Sequence, residues 1–404
     1  MNLPRFIQIH TLHNYPGALL NRDDAGLAKR LPYGDAVRTR ISSQCLKRHW
    51  RVAEDHFSLS TLAASLGMEL ERRSTYFLDE VKKHLANQLG NEAVAIGAVE
   101  GLLEGLKLNR DPKKKDKIKT SEVILLGAKE VAYLREFTLP IARQHTDAKA
   151  ALKAVKEAVE TSGKEFKDNL KTMLSQSGLV SAMFGRMVTS DVLASRDAAV
   201  YVAHAFTVHE AQVENDYFTV VDDLLREAGE LGSAGIFDTE LASGLYYGYV
   251  VVDVPQLIAN LEGGEKAKDW ATLPTEKREL AGRVVQHLLH LIATVSPGAK
   301  RGSTAPFEWA KFLLVAVGDW QPRSLAGAFQ NALPTNHTAL RETAVQMLAD
   351  EIGKLDDAYG ATLDRRFLAL DKVTVPNAQR LSLNDLATWV QAYITQGAAP
   401  AQAA

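Results

Sequence analysis

A single cysteine, Cys45, among 404 residues leaves the chain no internal disulfide and no multi-cysteine zinc site, which fits a reducing cytoplasm. Long apolar runs are also missing. The longest, Phe312 to Val317, falls far short of the ~20 residues a membrane helix needs, and residues 1–20 lack the apolar core of a cleavable leader. The expectation is a protein that neither spans a membrane nor is exported. Aromatics are sparse at 7%, and neither sign of charge dominates, since 47 basic against 49 acidic residues give a net charge of −2. That average argues against a generic polyanion binder. Also absent are GxGxxG, GxxxxGK[ST], HExxH, CxxC and GxSxG, the usual signals for nucleotide, metal or nucleophile chemistry. What remains is an ordinary globular composition, 46% hydrophobic and 24% charged. The length exceeds the roughly 100–150 residues of a typical domain, so at least two lobes are expected.

The balanced total hides a strong asymmetry. From Met1 to Arg51 nine bases face three acids, and Lys107 to Lys119 adds seven bases against two acids. By contrast, Ala205 to Glu240 carries nine acids against the lone Arg226. Such a chain can bind an anion with its basic region and a neighbouring copy of itself with its acidic one. Solvated charge without a partner is the alternative for any one stretch.

Arg5 to Thr11 reads as a short, central strand, followed by a turn-rich connection from Leu12 to about Arg38. Ser42 or Ser43 then supplies an N-cap for a helix to about Phe57. The pattern from Thr61 to about Asn109 is helical throughout, as in an all-helical insertion, and more helix follows the charged run Asp111 to Lys119. Ala199 to His209 and Gly244 to Val254 are rich in β-branched and aromatic residues; paired, they make a long hairpin with the acidic stretch at its tip. Glu276 to Val295 reads as an amphipathic helix, Lys311 to Val317 as a strand, Leu383 to Tyr393 as a last helix, and the GAAPAQAA end as a disordered tail. The pattern amounts to an α+β sheet domain interrupted by a helical lobe and an extended hairpin.

The most informative segment is RTRISSQCLKRHWR, Arg38 to Arg51. At 100° per residue Gln44, Lys47, Arg48 and Arg51 share one face, while Leu46 and Trp50 cluster on the other with Ala53 and Phe57. The helix opens with two hydroxyls and free amides, which favour phosphate, and bases at one-turn spacing can follow a sugar-phosphate backbone without reading sequence. An exposed basic face with no ligand is the bland reading; nearby Arg22, Arg38 and Arg40 favour binding. PGAKRGS sets Lys300 and Arg301 in a glycine-bracketed loop suited to close approach to a phosphate, or is an ordinary helix-terminating loop. The run Lys113 to Lys117 is either a solvated loop or a route for displaced or target DNA.

The segments FIQIHTL, LNRDD, RTRISSQCLKR, FGRMVTS, AHAFTVH, DYFTVVDDL, SGLYYGYVVVDV, PGAKRGS and QPRSLAGAF, in that order, resemble the Cascade backbone subunit of type I-E CRISPR systems, the Cas seven or CasC family. The resemblance implies an α+β fold with a modified RRM-like (ferredoxin-like) palm, a helical fingers insertion and a β-hairpin thumb. Their expected bounds are palm at 1–60, 187–210 and 246–396, fingers at 61–186, thumb at 211–245 and a tail at 397–404. It further implies a non-catalytic, cytoplasmic RNA-binding subunit of antiviral defence. Several copies assemble head-to-tail along the guide spacer, kink it at regular intervals and present it for pairing with target DNA. The partners implied are CRISPR RNA, target DNA, further copies of the chain and the large, small, guide-end-capping and repeat-processing subunits; no cofactor, metal or membrane is implied. By that likeness Ser42, Gln44, Lys47 and Arg51, with Arg22 on the preceding loop, hold guide phosphates. Tyr217, Phe218 and Thr219, with Met187 and Ile236, wedge against bases at the kink. Arg51 stands where some relatives carry lysine, and Tyr217 where tryptophan can occur; charge and aromatic character survive both changes.

An aromatic pair offers stacking faces indifferent to sequence, worth about 1–3 kcal/mol per base, although two core residues of a strand are otherwise the commoner fate of a pair such as Tyr217 and Phe218. The acidic surroundings suggest that this tip docks onto the basic surface of the next copy, a contact that does not close and so builds a helical filament. The main competing reading is a metal-dependent endoribonuclease backbone subunit of the type III kind, with Asp23, Asp24 and Asp35 near His10 and His13 as a carboxylate cation site. Asp23 and Asp24 belong to the NRDD signature, which points instead to structural hydrogen bonds beside Arg22. A metabolic α/β enzyme has no substrate-pocket signature in its favour.

Overall fold

The computed structural model describes residues 5–113, 117–187, 193, 195–221, 233–263, 270–336 and 338–396, with side chains described at these positions except 175–177, 218–221, 233–237 and 271. The run at Lys114 to Asp116, the residues 222–232 of the acidic stretch and the tail 397–404 therefore lie outside the described residues.

The chain opens with β1 (Phe6–Ala18), β2 (Arg30–Tyr33), β3 (Ala36–Ile41) and α1 (Ser43–Arg51). There follow α2 (Leu59–Ser65), β4 (Arg72–Ser74), α3 (Phe77–Leu89), α4 (Glu92–Gly105), β5 (Ile124–Leu126), α5 (Ala128–Ala142), α6 (Ala148–Ser177) and α7 (Leu179–Phe184). Next come β6 (Val200–Val202), β7 (Ala205–Thr207), β8 (Gln212–Val221), β9 (Ser233–Asp253), α8 (Val254–Glu262) and α9 (Thr275–Thr294). The chain closes with β10 (Phe312–Gly318), α10 (Leu340–Tyr359), β11 (Asp364–Ala369), β12 (Ala378–Arg380) and α11 (Leu383–Gln396). The fold is α+β, and the chain divides into two compact units: residues 1–58, 201–253 and 282–404, and residues 59–200 and 254–281.

The first unit is built on a sheet of order β12-β11-β10-β1-β9-β7-β3-β2, antiparallel except for the β11–β12 pair. β1 sits between β10 and β9, with Phe6 opposite Gly318 on one side and Asp253 on the other. Every residue of β10 is buried, as its unbroken apolar run requires of a strand covered on both faces. One face packs Leu12, Tyr247, Phe312, Leu314 and Phe367 against Ala344, Val345, Leu348 and Ile352 of α10, a helical stripe.

The second unit is mainly helical. Its core joins Val81 and Leu85 of α3, Val99 and Leu102 of α4, Leu134 of α5, and Val155, Val159 and Phe166 of α6. Glycines set the α4–α6 distance: a Cβ at Gly97 would sit 2.1 Å from the Ala148 carbonyl oxygen, and one at Gly101 2.3 Å from that of Leu152.

Several expectations need correction. β1 runs on to Ala18 because His13, Asn14 and Tyr15 find ladder partners in Tyr246, Leu245 and Gly244; the turn residues Pro16 and Gly17 only shift the register. The expected connection to Arg38 also contains β2 and the start of β3. The stretch from Thr61 to Asn109 is not helical throughout, since β4 interrupts it to pair with β5. The helix expected to reach Phe57 stops at Arg51, where the carboxylate of Asp55 accepts the Phe57 amide and turns the chain. The hairpin differs most. β7 meets β9 only at Phe206 and Thr207, while the acidic stretch itself supplies β8, paired with β9 from Gln212 opposite Ser243 onward. Among the described residues, no helix is long and apolar enough to cross a membrane.

Candidate nucleic-acid interface

The start of α1 is fixed by hydrogen bonds that reach far along the chain. Ser42, in extended conformation, accepts the Cys45 amide on its hydroxyl at 3.3 Å. Its own amide donates to Asn21 Oδ1 at 2.9 Å, so the Leu20–Asp24 loop is stitched to the helix start. Lys29 then donates its amide to the Asn21 carbonyl at 3.0 Å, and Arg40 its amide to that of Lys29 at 2.7 Å. The Ser43 amide is taken by His204 Nδ1 at 3.2 Å, with an Arg40 guanidinium nitrogen 3.4 Å from the same atom. The ring is therefore neutral with its proton on Nε2; desolvation lowers its pKa, and Arg40 and Lys29 act in the same direction.

Along the helix the two-faced pattern is realised. Gln44 and Arg48 are exposed and Lys47 and Arg51 half-buried, while His49 and Trp50 are buried. The charges of Arg48 and Arg51 in the last turn suit the helix dipole, and the first turn holds no acid to compete with a phosphate at its amides. His49 ties this helix to the PGAKRGS loop: Nδ1 donates to the Cys45 carbonyl at 2.8 Å, and Nε2 accepts the Gly298 amide at 3.3 Å. Ala299 donates its amide to the Leu19 carbonyl at 2.8 Å, and the Lys300 ammonium donates to the Thr239 hydroxyl of β9. Burial pushes the Cys45 thiol up to about 11, although Arg48, Lys29 and Arg301 all pull it down, so it is no reactive thiolate. Burial likewise lowers the His49 pKa, and Arg301 and Arg48 push it the same way. Cations from three segments distant in sequence thus act on Cys45, and two of them, Arg48 and Arg301, act on His49 as well.

Of the remaining sequence-predicted residues, Arg22 is exposed beside the Arg22–Ala28 bridge. Arg38 does not belong to this surface. Its guanidinium is fully buried and donates to the carbonyls of Thr207 at 3.1 Å and Phe329 at 3.0 Å. Arg30 is neutralised by Glu240, which also accepts the Ala28 amide at 2.8 Å. Two of the three carboxylates weighed for a cation site have other partners. Asp23 Oδ1 accepts the Ala25 and Leu27 amides, and Asp35 Oδ1 accepts the Ala332 amide and faces Arg38. His10 is buried with Nδ1 2.9 Å from the Tyr247 hydroxyl. Among the described residues, no group of three or more His, Cys, Asp or Glu side chains is placed to hold a metal ion.

β8 and the first half of β9 form a two-stranded ribbon in which Gln212 to Tyr217 are exposed on both faces, Tyr217 by 63%. Thr219 stands opposite Ile236, and Phe218 opposite Phe237, so with Tyr217 four of the predicted wedge residues share one ribbon at backbone level; the side chains of Phe218, Thr219 and Ile236 lie outside the description. Met187 belongs to the second unit, 97% exposed on a cleft of about 570 Å³ that Arg73 and Arg196 also line. Sequence reasoning missed the parts of His204, His49 and Lys29 in building this surface. AHAFTVH carries His204, yet nothing local says that its ring meets a helix start.

No curated protein matches the chain. Among solved structures, a chain of a "CRISPR RNA-guided surveillance complex, pre-nicking" is similar over 96% of this chain and 100% of its own, at 25% identity and a TM-score of 0.75. A chain of a "CRISPR RNA-guided surveillance complex" matches 95% of this chain and 99% of its own at 22% identity and a TM-score of 0.63, a likeness of fold. The model of the CT1975-like protein family matches residues 7–392, and the chain is accordingly a Cas-type protein belonging to that family.

Proposed function

We propose that the chain is a non-catalytic backbone subunit that binds CRISPR RNA in a type I-E Cascade surveillance complex of the cytoplasm. The observation that carries this reading is the convergence of the Leu20–Asp24 loop, α1 and the Gly298–Arg301 loop on one cationic surface of the first unit. Such a surface grips sugar-phosphate linkages of any sequence, as a subunit holding interchangeable spacers must. Arg22, Ser42, Gln44, Lys47 and Arg51, with Lys300 and Arg301, are the phosphate-binding set; Met187, Tyr217, Phe218, Thr219 and Ile236 are the wedge against bases. The antiparallel sheet supports an RRM-like, ferredoxin-like palm, the helical second unit supports fingers, and the β8–β9 ribbon supports a thumb. The NRDD and RTRISSQCLKR series supports the type I-E assignment. Successive copies assemble head-to-tail, the exposed acids Glu214, Asp216 and Asp238 of one ribbon meeting the cationic surface of the next copy. Target DNA is then recognised by pairing with the guide, alongside the large, small, guide-end-capping and repeat-processing subunits.

Backbone-dominated binding of single-stranded RNA with about four neutralised phosphates gives a slope of roughly −3 for log affinity against log salt, and each of Lys47→Ala and Arg51→Ala makes it less negative by about 0.7. Filter binding of guides with unrelated spacers measures this; affinity that follows spacer sequence and ignores salt would overturn the reading. The guide-loaded complex, given complementary RNA and magnesium, is expected to leave that RNA intact. Cleavage lost in Asp24→Ala would make the chain a nuclease.

A further inference from the structure

Beside the cationic surface, residues 305–310 show an exposure pattern that packing does not explain. Pro306 and Ala310 are buried, whereas Phe307 and Trp309 are 69% and 68% exposed. Two large rings facing water forgo about 1.5–3 kcal/mol each of apolar burial, so an ordered segment that displays both has another use for them. The segment is clamped. Ala305 has φ +40° and Lys300 φ +48°, a left-handed conformation that costs a non-glycine residue about 1–2 kcal/mol. The Phe307 amide closes a tight turn onto the Ala305 carbonyl at 2.7 Å. Ser296 Oγ donates to the Glu308 carbonyl at 2.8 Å and accepts its amide at 2.9 Å, and Ala310 donates its amide to the Ala293 carbonyl at 2.8 Å. Phe307 lines a cleft of about 450 Å³ with Arg301, and with His49 and Val52 at the end of α1; Glu54 and Asp55 line it too and repel phosphate towards Arg301. With Glu308 half-buried between them, the two exposed rings stand two residues and so at most roughly 7 Å of backbone apart, about twice the 3.4 Å between stacked bases.

We propose that Phe307 and Trp309 form a second stacking platform for unpaired guide nucleobases, with Arg301 holding the adjoining phosphate. The inference rests on the RNA-binding reading and adds to it a base contact outside the ribbon. Its test uses the full chain and an RNA of about eight nucleotides, short enough for one copy, carrying 2-aminopurine at each position in turn. Phe307→Ala and Trp309→Ala are each expected to weaken binding about tenfold, to leave the salt slope unchanged and to raise 2-aminopurine fluorescence. Phe307→Leu, which keeps the apolar bulk without the π face, is expected to lose as much as alanine; full affinity in that variant would overturn stacking. Wild-type affinity of both alanine variants for the short RNA, with fewer copies retained on a full-length guide, would make the segment a contact between copies and overturn the proposal. Either result leaves the wild-type salt slope intact and so strikes this inference alone, whereas a flat salt response in the unaltered chain strikes the RNA-binding reading itself.

Discussion

Between pH 7 and pH 5 the folded chain is expected to lose about 2 kcal/mol of stability for each of His10, His13 and His290, and so roughly 5–6 kcal/mol in all. Burial holds these rings neutral, with pKa values lowered to about 3 for His10 and about 4 for His13 and His290. Arg365 adds to the shift of His10, Lys311 to that of His13 and His287 to that of His290. In the unfolded chain each imidazole takes a proton near pH 6.5, and in the folded chain only near 3 or 4. The stabilisation is therefore fully present above pH 6.5 and is lost as the pH falls towards the folded values. His49, His209 and His287, lowered the same way by burial, steepen the loss. Denaturant titrations at pH 7 and pH 5 measure it, and His13→Gln is expected to remove about a third of the difference. A chain equally stable at both values would contradict the buried neutral rings.

Replacing Arg38 by alanine is expected to destabilise the first unit by about 3–5 kcal/mol, whereas Arg48→Ala changes stability by no more than about 0.5 kcal/mol. Both cations fall in the same basic segment of sequence, yet their surroundings are opposite. The Arg38 guanidinium reaches the Thr207 and Phe329 carbonyls, faces Asp35 and lies 5.9 Å from the Tyr33 ring centre. Truncation leaves buried acceptors without a donor and a void where the side chain was. Lysine does not rescue it, because one ammonium cannot reproduce the planar fork. Thermal denaturation separates the two variants. An Arg38→Ala protein of wild-type stability would show that this network is dispensable.

Local signals carried well where local physics decides. The Ser42 cap, the polar and apolar sides of α1, the buried run of β10 and the helices near Glu276 and Leu383 are all set by neighbours within a turn or two. Distance along the chain defeated the rest. β1 outlasts its turn residues only because β9, more than two hundred positions later, supplies their ladder partners. The His49–Gly298 contact spans 249 positions, and no spacing rule marks either residue. Arg38 shows the limit for charge: a basic run announces cations, but only tertiary packing says which are spent on carbonyls and which face solvent.

β9 is one strand doing two jobs. Its Gly244–Asp253 half is locked to β1, and its Ser233–Ser243 half carries the ribbon with β8. Because strand side chains alternate with period two, inserting one residue near Ser243 would send every outer side chain to the opposite face, while inserting two would keep the faces and advance the tip by about 6.6 Å. The reach of this arm is thus quantised, free to lengthen or shorten only by residue pairs matched in both strands.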